Sequence, residues 1–141
     1  MTATIRLDVV SAEEELFSGE VQEVTAPGEM GAMGILPRHS QLIATLKPGE
    51  LNYKTDEGVA SLFVAGGIIE VQPNIITVLA DSAIRAEDLD EQAAEDAVDR
   101  ARNALAGKDP EDLDYSAVQV ELEAARAQME MIHRIGRTLR P

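Results

Sequence analysis

From Thr2 to about Ile84 polar and apolar residues alternate. Ile5, Leu7 and Val9 fall on one side of an extended segment and Thr4, Arg6 and Asp8 on the other, the period of two that a half-buried strand requires. Further strands are predicted near residues 21–25, 41–46, 50–54, 60–65, 68–71 and 75–79, separated by turn chemistry at 47–49, 56–58, 66–67 and 73–74. Many short strands with no helix between them predict an antiparallel sandwich or barrel. Residues 62–64 (LFV) and 75–79 (IITVL) are apolar on both faces, so a cover over the second face is expected.

After Ile84 the period becomes helical. Asp88 with Glu91 three residues later reads as a capping box, and Ala94, Ala97, Val98, Ala101 and Leu105 line a narrow face of a helix running to Ala106. Gly107 suits its C-terminal end, Asp109-Pro110 a turn, and Asp114 the cap of a second helix reaching about Leu139. Along that helix Tyr115, Val118, Leu122, Ala125, Met129, Ile132, Gly136 and Leu139 repeat at spacings of three and four. A second stripe, Ala117, Val120, Ala124, Ala127, Met131 and Ile135, makes the apolar face wider than one small-residue helix can bury, so this helix is expected to meet the sheet, another chain, or each in turn. The fold class is therefore α+β: an antiparallel β-sandwich domain over residues 1–86, then a two-helix hairpin over 87–141.

Composition narrows the function. In 141 residues there are four aromatics and no Trp, which argues against stacking platforms for single-stranded nucleic acid. The formal charge of −14 repels phosphate backbones and anionic headgroups alike, so neither nucleic acid nor direct lipid insertion is expected. Absence of cysteine removes disulfides and thiolate chemistry, and the N-terminal segment lacks the pattern of a secretory signal. A soluble cytosolic protein that reaches a membrane only through a partner is predicted. The charge is uneven: residues 1–84 carry 12 acids and 4 bases, 85–114 carry 11 and 4, and 115–141 carry 3 and 4. Arg134, Arg137 and Arg140 thus form a basic tip on an acidic chain.

No catalytic constellation, cofactor site or metal site assembles from the residue pattern. His39 and His133 supply no paired metal ligands, and no motif places a nucleophile or oriented acid beside His39. Glu13-Glu14-Glu15 reads as a solvated turn. Gly28, Gly31 and Gly34 do not make a phosphate loop; they predict a projecting loop on which Met30 and Met33 offer an adaptable docking surface.

Several motifs match a known family. LDVVSAE at 7–13, FSG at 17–19, GAMGILPRH at 31–39, KPG at 47–49, GGIIEVQP at 66–73 and TVLADSAI at 77–84 resemble the epsilon-subunit family of bacterial F-type ATP synthases, and the likeness runs from about Leu7 to the end of the second helix. The resemblance implies a ten-stranded sandwich with an α-helical hairpin. It implies a non-catalytic central-stalk rotor subunit that binds gamma, rests on the c-ring and couples proton flow to ATP synthesis on the cytoplasmic face of the bacterial inner membrane. The hairpin would extend into the catalytic head of alpha and beta subunits and inhibit ATP hydrolysis. By matching position, Ser11, His39 and the 42–45 strand, including Leu42 and Thr45, would face gamma. Gly28, Glu29, Met30, Gly31 and Met33 would face the c-ring, and Arg126, Arg134, Arg137 and Arg140 would belong to the regulatory helix. Some members bind ATP through an Ile/Leu-Asp-x-x-Arg-Ala motif. Here it reads Leu89-Asp90-Glu91-Gln92-Ala93-Ala94 without the arginine, and Glu130 stands one turn beyond Arg126 where an anion site would want a base. The alternative reading is a nucleotide sensor that clamps ATP in the hairpin, with Asp90, Arg100 and Arg126 as its candidates.

Overall fold

The computed structural model describes residues 2–112 and 114–139, with side chains given as far as Gly136. The chain forms two compact units, Met1–Asp88 and Leu89–Pro141. The first holds ten strands: β1 (Ile5–Val10), β2 (Glu15–Val21), β3 (Glu23–Gly28), β4 (Gly31–Ile35), β5 (Leu42–Leu46), β6 (Gly49–Thr55), β7 (Gly58–Val64), β8 (Gly67–Val71), β9 (Ile75–Ala80) and β10 (Ala83–Arg85), followed by a 3-10 turn at Ala86–Asp88. They join in one path, β10-β7-β6-β3-β5-β8-β9-β1-β2, with β4 paired to β3. The path folds back on itself, so that β2 lies against β6 and β10. This is the expected β-sandwich, with one departure: β1 pairs with β9 in parallel, Arg6 opposite Ile75 through Val10 opposite Leu79.

The core follows from the alternation. Ile5, Leu7 and Val9 are buried together with Val21, Val24, Ile35, Leu51, Leu62, Ile69, Ile76 and Val78, one face from each of the strands that supply them. Gly66 and Gly67 form the turn into β8 at φ of +123 and +138, values that favour glycine.

Several elements differ from the expectation. The segment near 21–25 is two strands that part at Gln22, whose N–H turns to the carbonyl of Lys54 (2.7 Å). Glu15 opens β2 rather than ending a solvated turn. The glycine-rich segment is no loose loop. It is the β3–β4 hairpin, in register from Val24 opposite Ile35 to Gly28 opposite Gly31, with only Glu29 and Met30 at its tip. Met33 packs against the core, while Met30 is fully exposed. The expected cover over the second face holds for Phe63, which is buried, but not for β9, where Leu79 is 55% exposed.

The second unit is a helical hairpin of α1 (Glu91–Leu105) and α2 (Tyr115–Leu139). The cap of α1 is Asp90, not Asp88. Asp90 has extended backbone (φ −119, ψ 112) and its carboxylate accepts the Ala93 N–H at 3.2 Å, whereas Asp88 is taken up in the 3-10 turn. At the other end the Ala106 N–H donates to the Arg102 carbonyl and Gly107 adopts φ +80. The Asp114 carbonyl accepts the Val118 N–H (3.1 Å), as a cap position requires. Its carboxylate meets the Lys108 ammonium, which holds that carboxyl below its ordinary range. Ala94, Ala101, Leu122 and Ala125 are buried, so the small residues set a close approach of the helices. Along the second stripe burial rises from exposed Ala117 and Val120 to fully buried Met131.

Candidate functional site

The outer face of β5, β8, β9 and β1 carries side chains that the core does not use. Register places Thr45 opposite Ile68, Ile68 opposite Leu79, and Leu79 opposite Val10, one row across four strands. The next row runs Ile43, Glu70, Thr77, Asp8. Ile43, Ile68 and Leu79 are 72%, 47% and 55% exposed, large apolar side chains gathered on one face. Such a face marks an interaction surface. Leu42 and Ala44 turn inward against the core, so within the 42–45 segment the outward positions are Ile43 and Thr45.

Ser11 and His39 lie at opposite ends of this face, because β1, β5 and β9 run in the same direction, Ser11 follows β1 and His39 precedes β5. The Ser11 hydroxyl accepts the N–H groups of Glu13 and Glu14, both at 3.3 Å, and so holds the turn into β2. His39 donates its N–H to the Leu36 carbonyl (3.1 Å) and its Nδ1–H to the Ser40 carbonyl (2.8 Å). Arg38 before it adopts φ +68, unusual for a residue with a Cβ. These bonds orient the loop and provide no nucleophile. The Glu29–Met30 tip stands at the Ser11 end: Glu29 donates its N–H to the Thr45 carbonyl (2.9 Å) and Lys47 to the Pro27 carbonyl (2.9 Å). Ile68 and Leu79 lie within the GGIIEVQP and TVLADSAI motifs, yet matching position assigns neither to a partner; for Leu79 the signal is the two-sided apolarity of residues 75–79.

In the second unit, a cleft of about 470 Å³ between α1 and α2 brings together Arg102 and Arg126 with Glu95, Asp99 and Glu130. His133 stands at the same cleft with Nε2 3.4 Å from Glu91 Oε1. Asp90 and Arg100 do not line it. Three carboxylates against two guanidiniums make it a poor anion site. Arg134 is exposed, and Arg137's side chain and all of Arg140 lie outside the described residues. Among the described residues no cluster of His, Asp and Glu is placed to hold a metal, and no helix is long and apolar enough to cross a membrane.

Tyr53 has a displaced titration. Burial raises its pKa, Glu87 raises it further and Arg85 opposes both. A raised folded-state value means that its contribution to stability is complete below about pH 10 and is lost as pH rises through the folded pKa. Tyr53→Phe is therefore expected to flatten the alkaline fall in melting temperature, and the phenolate absorbance lost with that substitution should be the part that titrates above the ordinary tyrosine range.

An exposed apolar sheet face, a projecting hairpin tip and an amphipathic helical pair define a docking protein of two modules. Matches to known proteins give the class its family. The β-sandwich domain of the ATP synthase delta/epsilon chain matches residues 4–86, and the long α-helix domain of the same chain matches 87–133. ATP synthase epsilon chains of Thioalkalivibrio sulfidiphilus (51% identity, 99% of this chain and 100% of that one) and Nitrosococcus oceani (50%, 99% of each) align over nearly the full length. A chain in the mitochondrial ATP synthase of Euglena gracilis shares the fold at a TM-score of 0.81 with 22% identity, over 93% of this chain and 82% of that one. The protein belongs to the ATP synthase epsilon chain family. It is a non-catalytic central-stalk subunit of an F-type ATP synthase, a membrane-associated complex, and acts in coupling and regulation.

Proposed function

We propose that the subunit docks gamma through the outer face of β5, β8, β9 and β1, meets the c-ring through the Glu29–Met30 tip, and reaches the alpha and beta subunits with the basic end of α2, on the cytoplasmic face of the membrane. On this reading the sandwich, residues 1–86, docks gamma and the c-ring, and the hairpin, residues 87–141, regulates. The observation that carries the reading is the exposed set Ile43, Ile68 and Leu79, bracketed by Ser11 and His39. Met30, fully exposed at a two-residue turn, supports the c-ring contact. Copurification tests the docking: a tag on this chain should bring down gamma and the c-ring, and a Met30→Asp variant should retain gamma while losing c-ring on dilution. Recovery of the c-ring with that variant at parental yield would rule out the tip contact.

Inhibition of ATP hydrolysis belongs to α2. Exposed ion pairs contribute about 0.5 kcal/mol each, so replacing Arg134, Arg137 and Arg140 together with Ala should raise hydrolysis by the assembled complex about tenfold and leave the free subunit's melting temperature nearly unchanged. Parental hydrolysis at full occupancy by the mutant chain would return the cluster to helix-end solvation.

The acidic balance of the cleft between α1 and α2 weighs against nucleotide sensing. ATP affinity is expected to be no tighter than millimolar, about −4 kcal/mol. Calorimetry with ATP checks this, and micromolar binding would reinstate the sensor.

A further inference from the structure

β2 ends the strand path and, among the described residues, pairs with β1 alone, so its other edge has no ladder partner there. Natural proteins block such edges, because unpaired backbone N–H and C=O groups invite another strand. Here both ends are closed, one where the Arg85 guanidinium donates to the Leu16 carbonyl at 3.1 Å and the other where the Gln22 N–H donates to the Lys54 carbonyl at 2.7 Å. Between them, from Phe17 to Glu20, the strand borders a groove of about 540 Å³ whose far wall is the β6–β7 hairpin.

The groove is built unlike the rest of the surface. Two of the chain's four aromatic rings, Phe17 and Tyr53, stand 4.2 Å apart in its lining, both half-buried. Gly19 leaves room for the Phe17 ring: a Cβ at that position would stand 3.1 Å from Phe17 Cζ. Val59 is 67% exposed on the opposite wall, on a strand remote from the face assigned to gamma. The charged lining residues are Glu20, Asp56 and Glu57, with no Lys or Arg. Gln22 donates to one Asp56 oxygen (2.6 Å), leaving the other oxygen available.

Open strand edge, aromatic lining and an all-acidic charge set call for one kind of occupant. We propose that this groove is a strand-addition site for an extended protein segment carrying Arg or Lys at alternate positions. Backbone bonding to the β2 edge would supply register, carboxylates and ring faces would take the cations, and Val59 would pack against the apolar residues between them.

The test uses the full chain labelled with ¹⁵N. The probe is a blocked Arg-Val-Arg-Thr-Arg-Val peptide, compared with Glu-Val-Glu-Thr-Glu-Val and with arginine amide. Expected are saturable amide shifts confined to residues 17–20 and 53–60, a Kd of about 10–500 µM that weakens with salt, and slowed hydrogen exchange along β2. Val59→Lys, an exposed change whose folding is verified by unchanged shifts elsewhere, should weaken binding about tenfold. Diffuse shifts, equal binding of the acidic peptide, or full reproduction of the shifts by arginine amide without slowed exchange would each overturn strand addition.

Discussion

Gly67→Ala is expected to unfold the sandwich domain at moderate temperature. Gly67 sits at φ +138, and a Cβ there would lie 2.2 Å from the Leu79 carbonyl oxygen and 2.9 Å from Ala80 Cα. Both obstacles are backbone, so no rotamer change relieves them. The strands cannot part either, since Gly67 faces Ala80 on one side and Leu46 on the other, and both of those residues are buried in the core. Strain at the forbidden φ and the broken ladder together cost about 4–5 kcal/mol, a large share of the about 5–15 kcal/mol that holds a domain. The melting temperature should fall by about 15–30 °C. Gly34→Ala is the control: it has negative φ and open space around its Cβ, and should cost less than about 1 kcal/mol. A Gly67→Ala protein melting within about 3 °C of the parent would refute the account.

The double substitution Ile68→Asp, Leu79→Asp should leave the subunit folded and separate it from gamma. Neither side chain belongs to the core cluster, and the two are direct cross-strand neighbours on the outer face. In the free subunit the exchange alters exposed positions, with a cost of about 1 kcal/mol. At a gamma interface it removes about 3–6 kcal/mol of apolar burial and leaves two carboxylates to be desolvated. Affinity should drop at least about a hundredfold, enough to lose the subunit during purification of the complex. Val59→Asp, outside this face, should retain gamma. Gamma binding that survives the double change in a correctly folded chain would move the interface elsewhere.

The strands with clean alternation were legible because burial enforces it: Ile5, Leu7 and Val9 could be read directly as core. β4 was not, since Gly31 and Gly34 lower strand propensity and only hairpin pairing with β3, from Val24 opposite Ile35 to Gly28 opposite Gly31, makes the segment extended. The capping-box spacing pointed to Asp88 as the start of α1, but Asp88 is taken up in the 3-10 turn and the extended backbone at Asp90 makes that residue the cap. Motif likeness brought Ser11, His39 and the 42–45 segment to notice as a group, yet the pleat sends Leu42 inward and Ile43 outward. IITVL at 75–79 held the signal for the docking face; its second apolar side serves a surface, with Leu79 exposed. The groove beside β2 has no local signature, because its walls come from residues 17–20 and 53–60, joined only by the fold.

The parallel pairing of β1 with β9 sets an order of events during synthesis. The first strand completes its neighbourhood only after Ile75–Ala80 has been made, so the sandwich closes late and through a contact of high sequence separation. Domains with such topology fold in milliseconds to seconds. The 61 residues from Asp81 to Pro141 are still to be added at that point, which at about 5–20 residues per second takes about 3–12 s. The sheet face proposed to meet gamma is therefore finished while the helical hairpin is still being made, and on that proposal nascent chains can be committed to assembly before they can inhibit.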